Sequence, residues 1–169
     1  MEKFLARRIS HCLKEINETG HGFSGNKEWT SAINHHLRQI VQDEFKYTVA
    51  HTGHYGWMFD VAWLDYDNFE EIILSRLVLA VESEWQTDML NLRVDLNKLL
   101  VSKAFLSVLI FQSRAMADVS YYLELFERSI NSINPPYENA ILFAAHNYTS
   151  ESFEFHLWDG RQLSELSQQ

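Results

Sequence analysis

Apolar and polar positions change period several times along the chain, and each change marks an element. In residues 2–18, Phe4, Leu5, Ile9, Cys12, Leu13 and Ile16 recur at the spacing of an amphipathic helix, and Gly20 follows as a stop signal. The stretch 19–26 holds three glycines and reads as a loop. The helical period returns over 27–45 through Trp29, Ile33, Leu37, Ile40 and Val41, so Glu44 closes this helix at the edge of its buried face. Residues 46–51 and 57–64 then read as strands, with a turn at Gly53 and Gly56 between them. Alternation in 57–64 puts Trp57, Phe59, Val61 and Trp63 on one face and Asp60 among Met58, Ala62 and Leu64 on the other. The polar, acidic stretch 65–71 predicts a hairpin connection.

The run RLVLAVESEW at 76–85 is the centre of the pattern. Its five consecutive apolar residues predict a strand over 77–84 that is covered on both faces, and it ends in two carboxylates. Strict alternation would set Glu82 and Glu84 on the face of Val78 and Ala80. A helix is expected over 88–103, with Leu92, Leu96, Leu99 and Leu100 toward a core and Asn91, Asp95, Lys98 and Ser102 on another stripe. A second continuous apolar strand follows at 105–112, and strand, helix, strand in this order imply a parallel crossover. Met116, Val119, Leu123, Phe126, Ile130 and Ile133 mark a further helix, stopped by Pro135 and Pro136. Strands at 139–146 and 152–158 close the pattern, the second half exposed, and 161–169 reads as a frayed tail. The expected architecture is a single α/β (α+β) domain, a mixed central sheet flanked by helices. It divides into N-terminal helices over 1–45, a common core over about 46–112, and a helix and hairpin over 113–160.

Composition narrows the function classes. The 169 residues suffice for one sizeable core, and 46% apolar content argues against disorder. A formal net charge of -9 is unlike a generic nucleic-acid coat or membrane-surface protein, which is usually basic. An acidic nuclease needs a local basic groove or a neutralising metal. The one cysteine, Cys12, cannot form an intramolecular disulfide, which suits a reducing cytoplasm. No apolar run approaches a membrane span, and the charges within residues 1–20 are unlike a signal peptide.

With Asp60 in Gly56-Trp57-Met58-Phe59-Asp60-Val61 on the second core strand and Glu82-Ser83-Glu84 on the third, the chain resembles the restriction-endonuclease-like superfamily, the PD-(D/E)XK nucleases. That family carries an Asp on the second strand and a (D/E)-x-K on the third. The resemblance spans residues 28–112 and rests on strand order and spacing more than on letters. It implies metal-dependent hydrolysis of a phosphodiester in nucleic acid, most simply DNA. A departure stands at Glu84, which occupies the position of the family lysine. Some members take the lysine from the following helix, which makes Lys98 the substitute. The family also often uses a glutamate of the preceding helix, here Glu44, with Glu28 as second choice.

The resemblance implies Mg²⁺ (or Mn²⁺) held by Asp60, Glu82 and a backbone carbonyl near Ser83. Clustered carboxylates are costly to bury as anions, and a hard divalent cation relieves that cost. Such a metal polarises the phosphoryl oxygen and acidifies a bound water. Lys98 would orient that water or stabilise developing charge.

Blander readings stand beside these. Asp95 and Lys98 at i,i+3 spacing also fit a surface ion pair of about 0.2–0.5 kcal/mol. An acid at a strand end is often simply at the solvent rim, and Glu84 fits that. His51-x-x-His54 and His35-His36 lack the cysteine pair or His-Glu-x-x-His arrangement of a zinc site, so zinc is not expected. Cys12 reads as core filler, and Trp85 as packing, with stacking on a base as a second role. Two functions fit these residues. One is a nuclease, acting alone, as a homodimer or with a DNA-binding partner. The other is a non-catalytic, acidic interaction protein, antitoxin- or immunity-like, on a degenerate nuclease-like fold.

Overall fold

The computed structural model describes residues 1–19, 23, 25–51, 58–113 and 116–167. A seven-stranded mixed sheet carries two helices on each face, so the fold is a three-layered α+β arrangement. The elements in chain order are α1 (Glu2–Thr19), α2 (Asn26–Glu44), β1 (Thr48–His51), β2 (Val61–Asn68), β3 (Ile73–Glu84), α3 (Met89–Ser102), β4 (Leu106–Ser113), α4 (Met116–Asn131), β5 (Ala140–Asn147), β6 (Ser152–Trp158) and β7 (Leu163–Glu165). Strands lie side by side in sequence order. β1, β2 and β3 form an antiparallel meander, β3, β4 and β5 are parallel, and β5, β6 and β7 are antiparallel again. The expected β3–α3–β4 crossover is present. A second crossover, β4–α4–β5, follows it.

Periodicity explains which face each helix covers. Ile9, Leu13 and Ile16 of α1 and Ile33, Leu37 and Val41 of α2 pack on Val61, Trp63, Leu79, Val81, Val108 and Leu142. The leucines at 92, 96, 99 and 100 in α3, with Phe126 and Ile130 in α4, pack on Ala62, Ala80, Leu109 and Phe143. α3 starts where the Asp88 carboxylate accepts the Leu90 amide at 3.0 Å, an N-cap. It ends at Lys103, whose φ of 52° turns the chain in the left-handed region into β4. α1 also lies against the far end of the sheet. Asn17 Nδ2 donates to the Glu151 carbonyl at 2.7 Å, and Lys14 Nζ sits 5.9 Å from the centre of the Phe155 ring.

Several expectations need correction. β2 begins at Val61, so Phe59 and Asp60 lie in a bend before the strand and escape its alternation. Phe59 therefore packs with the α3 and α4 side, while Val61 and Trp63 face α1 and α2. Trp57, Gly53, Gly56 and His54 fall outside the described residues. The connection expected over 65–71 shrinks to the turn after Asn68, whose side chain accepts the amides of Glu70 and Glu71 at 3.0 and 3.2 Å. The β2–β3 hairpin is correspondingly longer and exposes Phe69, Ile72 and Ile73 at its tip. Val78 does not share the face of Glu82. Trp63 pairs with Leu79 but Leu64 with Leu77, so Val78 is a bulge residue and the alternation changes parity there. The tail is not frayed throughout: β7 pairs with β6, and Leu166 is buried. Among the described residues no helix is long and apolar enough to cross a membrane.

Candidate acidic site at the end of the third strand

The parallel register of β3 against β4 carries Glu82 to the level of Leu109 and buries it to 4% exposure. Its carboxylate faces α3, where Lys98 and Asp95 stand one turn apart. Lys98 Nζ donates to Glu82 Oε1 at 3.2 Å and to Asp95 Oδ1 at 2.7 Å. Lys98 thus bridges helix and strand. Asp95, read as half of a surface pair, is the third member of the group. Its i,i+3 spacing to Lys98 was the available signal.

Burial pushes the Glu82 carboxyl up to about 8, and the charges of Asp95 and Asp60 push the same way against the pull of Lys98. For Lys98, burial is the largest influence and acts downward. The bond to Asp95 and the charges of Glu82 and Asp95 outweigh it, so its proton affinity is raised. Glu82 is accordingly an acid kept near the neutral form by a low-dielectric setting, beside a firmly charged ammonium.

Asp60 reaches the same strand end from the bend before β2. Its Oδ2 accepts the Ser83 amide at 2.9 Å and the Ser83 hydroxyl at 2.6 Å. The carboxylate takes up an amide just past the β2–β3 ladder, whose last pair is Val61 with Val81. The Ser83 side chain points to the other face of the sheet, toward α2. Since its hydroxyl donates to Asp60, it accepts from Thr30 Oγ1 at 3.2 Å, and Thr30 accepts from Trp85 Nε1 at 3.1 Å. A directional chain of donors, Trp85 to Thr30 to Ser83 to Asp60, therefore crosses the sheet end. Thr30 was not singled out in the sequence, because a threonine inside a helix carries no motif.

The other candidates stand apart from this group. Glu84 Oε1 accepts the Gln86 amide at 2.7 Å and so caps its own turn. Glu44 pairs with Arg8 of α1 at 2.6 Å. It precedes β1 at the end where Thr48 pairs with Leu64, whereas Glu82 lies beyond the opposite end, where His51 pairs with Val61. The helix end that reaches the site is the N-terminal one, carrying Thr30, with the exposed Glu28 two residues before it. His35 and His36 stack edge to face at 5.6 Å, and His36 Nδ1 contacts the Ala32 carbonyl at 2.9 Å. Cys12 is buried and its thiol is pushed up to about 12 by that burial, which suits core filler.

The donor atoms at the strand end are carboxylate oxygens, the type preferred by Mg²⁺ or Mn²⁺. A buried acid whose proton affinity is raised is also one that a nearby dication would return to its ionised form. Among the described residues no three Asp, Glu, His or Cys side chains are already gathered as a metal-holding group. No protein-family model and no curated protein matches this chain.

Proposed function

We propose that the chain is a metal-dependent phosphodiesterase acting on nucleic acid, most simply DNA, built on a restriction-endonuclease-like core. The observation that carries this reading is Lys98, delivered by the crossover helix to within 3.2 Å of the buried Glu82 at the carboxyl end of a parallel strand. The antiparallel β1–β2–β3 meander followed by the β3–α3–β4 crossover agrees with such a core. Asp60 and Glu82 would hold Mg²⁺ or Mn²⁺, which supplies Lewis-acid polarisation of the phosphoryl oxygen and a more acidic water. Lys98 places a fixed positive charge where negative charge develops in phosphoryl transfer. Asp95 holds that ammonium in position. Ser83 fixes one oxygen of Asp60 and leaves the carboxylate oriented at the strand end.

The test is cleavage of single-stranded, duplex and branched DNA with Mg²⁺ or Mn²⁺ by the wild type, Glu82→Gln and Lys98→Ala. Metal-dependent cleavage that both variants lose supports the reading, and an inert wild type removes it. A second reading, a non-catalytic acidic interaction protein, is favoured by Glu84 at the family lysine position and by the net charge of -9. Absence of any divalent-cation effect on the melting temperature, together with no cleavage, would select it.

A further inference from the structure

A second site opens on the α1 and α2 side of the sheet. A cavity of about 300 Å³ is lined by Trp85 after β3, Gln112 of β4, His146 of β5, Tyr148 after it, and Asn17 and Trp29 of the covering helices. It lies outside the carboxyl ends of the three parallel strands, the place where open α/β sheets receive ligands. Trp85 is both its wall and the first donor of the chain that ends on Asp60.

The hydrogen bonds fix the state of the lining. Asn17 Nδ2 donates to the Glu151 carbonyl, so Asn17 Oδ1 is the atom facing His146 Nε2 at 3.2 Å, and that nitrogen is the donor. Burial holds the imidazole below the usual histidine range, against the pull of Glu151, which leaves it neutral with Nδ1 as an acceptor. The lining contains no lysine or arginine among the described residues, and its one acid is Glu151. A phosphate or carboxylate would enter without a cationic side chain to pair with. The ligand that fits is neutral, flat and edged with donors and acceptors. Aromatic rings line it as one packed cluster: Trp29 lies 5.3 Å from Trp85 and 5.1 Å from His146. Gln112 and Asn26 supply amides that both donate and accept.

We propose that this cavity takes one unpaired nucleobase of the nucleic-acid strand whose phosphodiester lies at Glu82 and Lys98, an inference that rests on the function proposed above. Unpaired bases are recognised by aromatic faces together with hydrogen bonds to their edges. The size suits one base and excludes a base pair. Glu82 and Trp85 are three residues apart in the chain, about 10 Å of extended backbone, with the acid on the α3 face and the cavity on the α1 and α2 face, so the nucleic-acid strand would round the carboxyl end of the sheet between them. A quaternary amine in an aromatic cage is the rival occupant. Trp29 and Trp85 pack on each other at a 33° tilt and so do not stand as separate walls around a cation.

The test titrates the four deoxynucleosides, a short single-stranded oligonucleotide and choline into the full chain in EDTA, reading tryptophan emission. A saturable change is expected with at least one nucleoside and with the oligonucleotide. It should weaken at least tenfold in Gln112→Leu and in Asn26→Ala, with unchanged melting temperatures showing that both variants fold. No saturable change, equal affinity in both variants, or competition by choline would overturn the inference. Because EDTA removes metal, the outcome is independent of cleavage. Metal-dependent cleavage by a chain that binds no nucleoside overturns the base pocket alone, and nucleoside binding by a chain that never cleaves overturns the hydrolase alone.

Discussion

Lys98 and Glu82 are sixteen residues apart in sequence, on a helix and a strand, yet their charged atoms meet at 3.2 Å. Removing the ammonium takes away the donor that Glu82 and Asp95 share. Lys98→Ala should lower Mg²⁺-dependent DNA cleavage at least about tenfold, roughly 1.4 kcal/mol of barrier, while far-ultraviolet circular dichroism stays unchanged. Wild-type rates in this variant would take Lys98 out of the mechanism.

Glu82 predicts a pH dependence of stability. Its carboxyl is pushed from 4.5 up to about 8 by folding, so the folded chain holds a proton that the unfolded chain releases. Stability from this group is therefore full below about 4.5 and declines as pH rises to about 8. Glu82→Gln should flatten that decline, measured as urea midpoints at pH 5 and pH 8.5. A metal at the site favours the ionised form, so the rise in melting temperature with Mg²⁺ should grow across the same window.

Thr30 is both acceptor and donor in the chain from Trp85 to Asp60. Thr30→Val keeps the shape and strands the indole N–H, which should cost about 1–3 kcal/mol. Ser83→Ala removes the hydroxyl bond to Asp60 and the acceptor of Thr30 but leaves the backbone bond to Asp60 and the indole bond to Thr30, so about 1 kcal/mol is expected. Chemical denaturation separates the two values, and equal costs would argue against a directed chain.

Cys12 should be inert toward a disulfide reagent such as DTNB in the native state, because it is buried and its thiol is pushed up to about 12. It should react at once in urea. Rapid labelling of the folded chain would contradict its burial in α1.

Ile72 adopts a φ of 57° in the β2–β3 turn, where a β-branched side chain is disfavoured. It is also 75% exposed, so little packing is lost on truncation. Ile72→Gly should raise stability by about 1 kcal/mol, checked by thermal melting.

The legible parts of the sequence were those governed by local period. The apolar runs at the hearts of β3 and β4 and the leucines of α3 announced buried strands and the helix between them. Lys98 comes from the family resemblance; periodicity shows only that it lies off the leucine stripe of α3. What escaped was set by tertiary partners. The Val78 bulge reverses parity without any sign in the letters, since valine suits a regular strand equally well. Asp60 looked like a strand residue, but it sits in a bend where it caps Ser83. Glu44 is a candidate only through the family resemblance, whereas Arg8, 36 residues away, holds it at the opposite end.

The seating of α1 on the far end of the sheet also sets an order of assembly. Asn17 finds its partners at His146 and Glu151, 129 and 134 residues later in the chain. The β1–β3 meander can close as soon as it is made, since its contacts are local. α1 has to wait for β5 and β6, and contacts of such long range form slowly. Its apolar stripe of Leu5, Ile9, Leu13 and Ile16 meets α2 and the first strands early, but is fully covered only once β5 and β6 are made. That stripe is where a folding chaperone would find its handle, and where a chain interrupted before β6 would begin to aggregate.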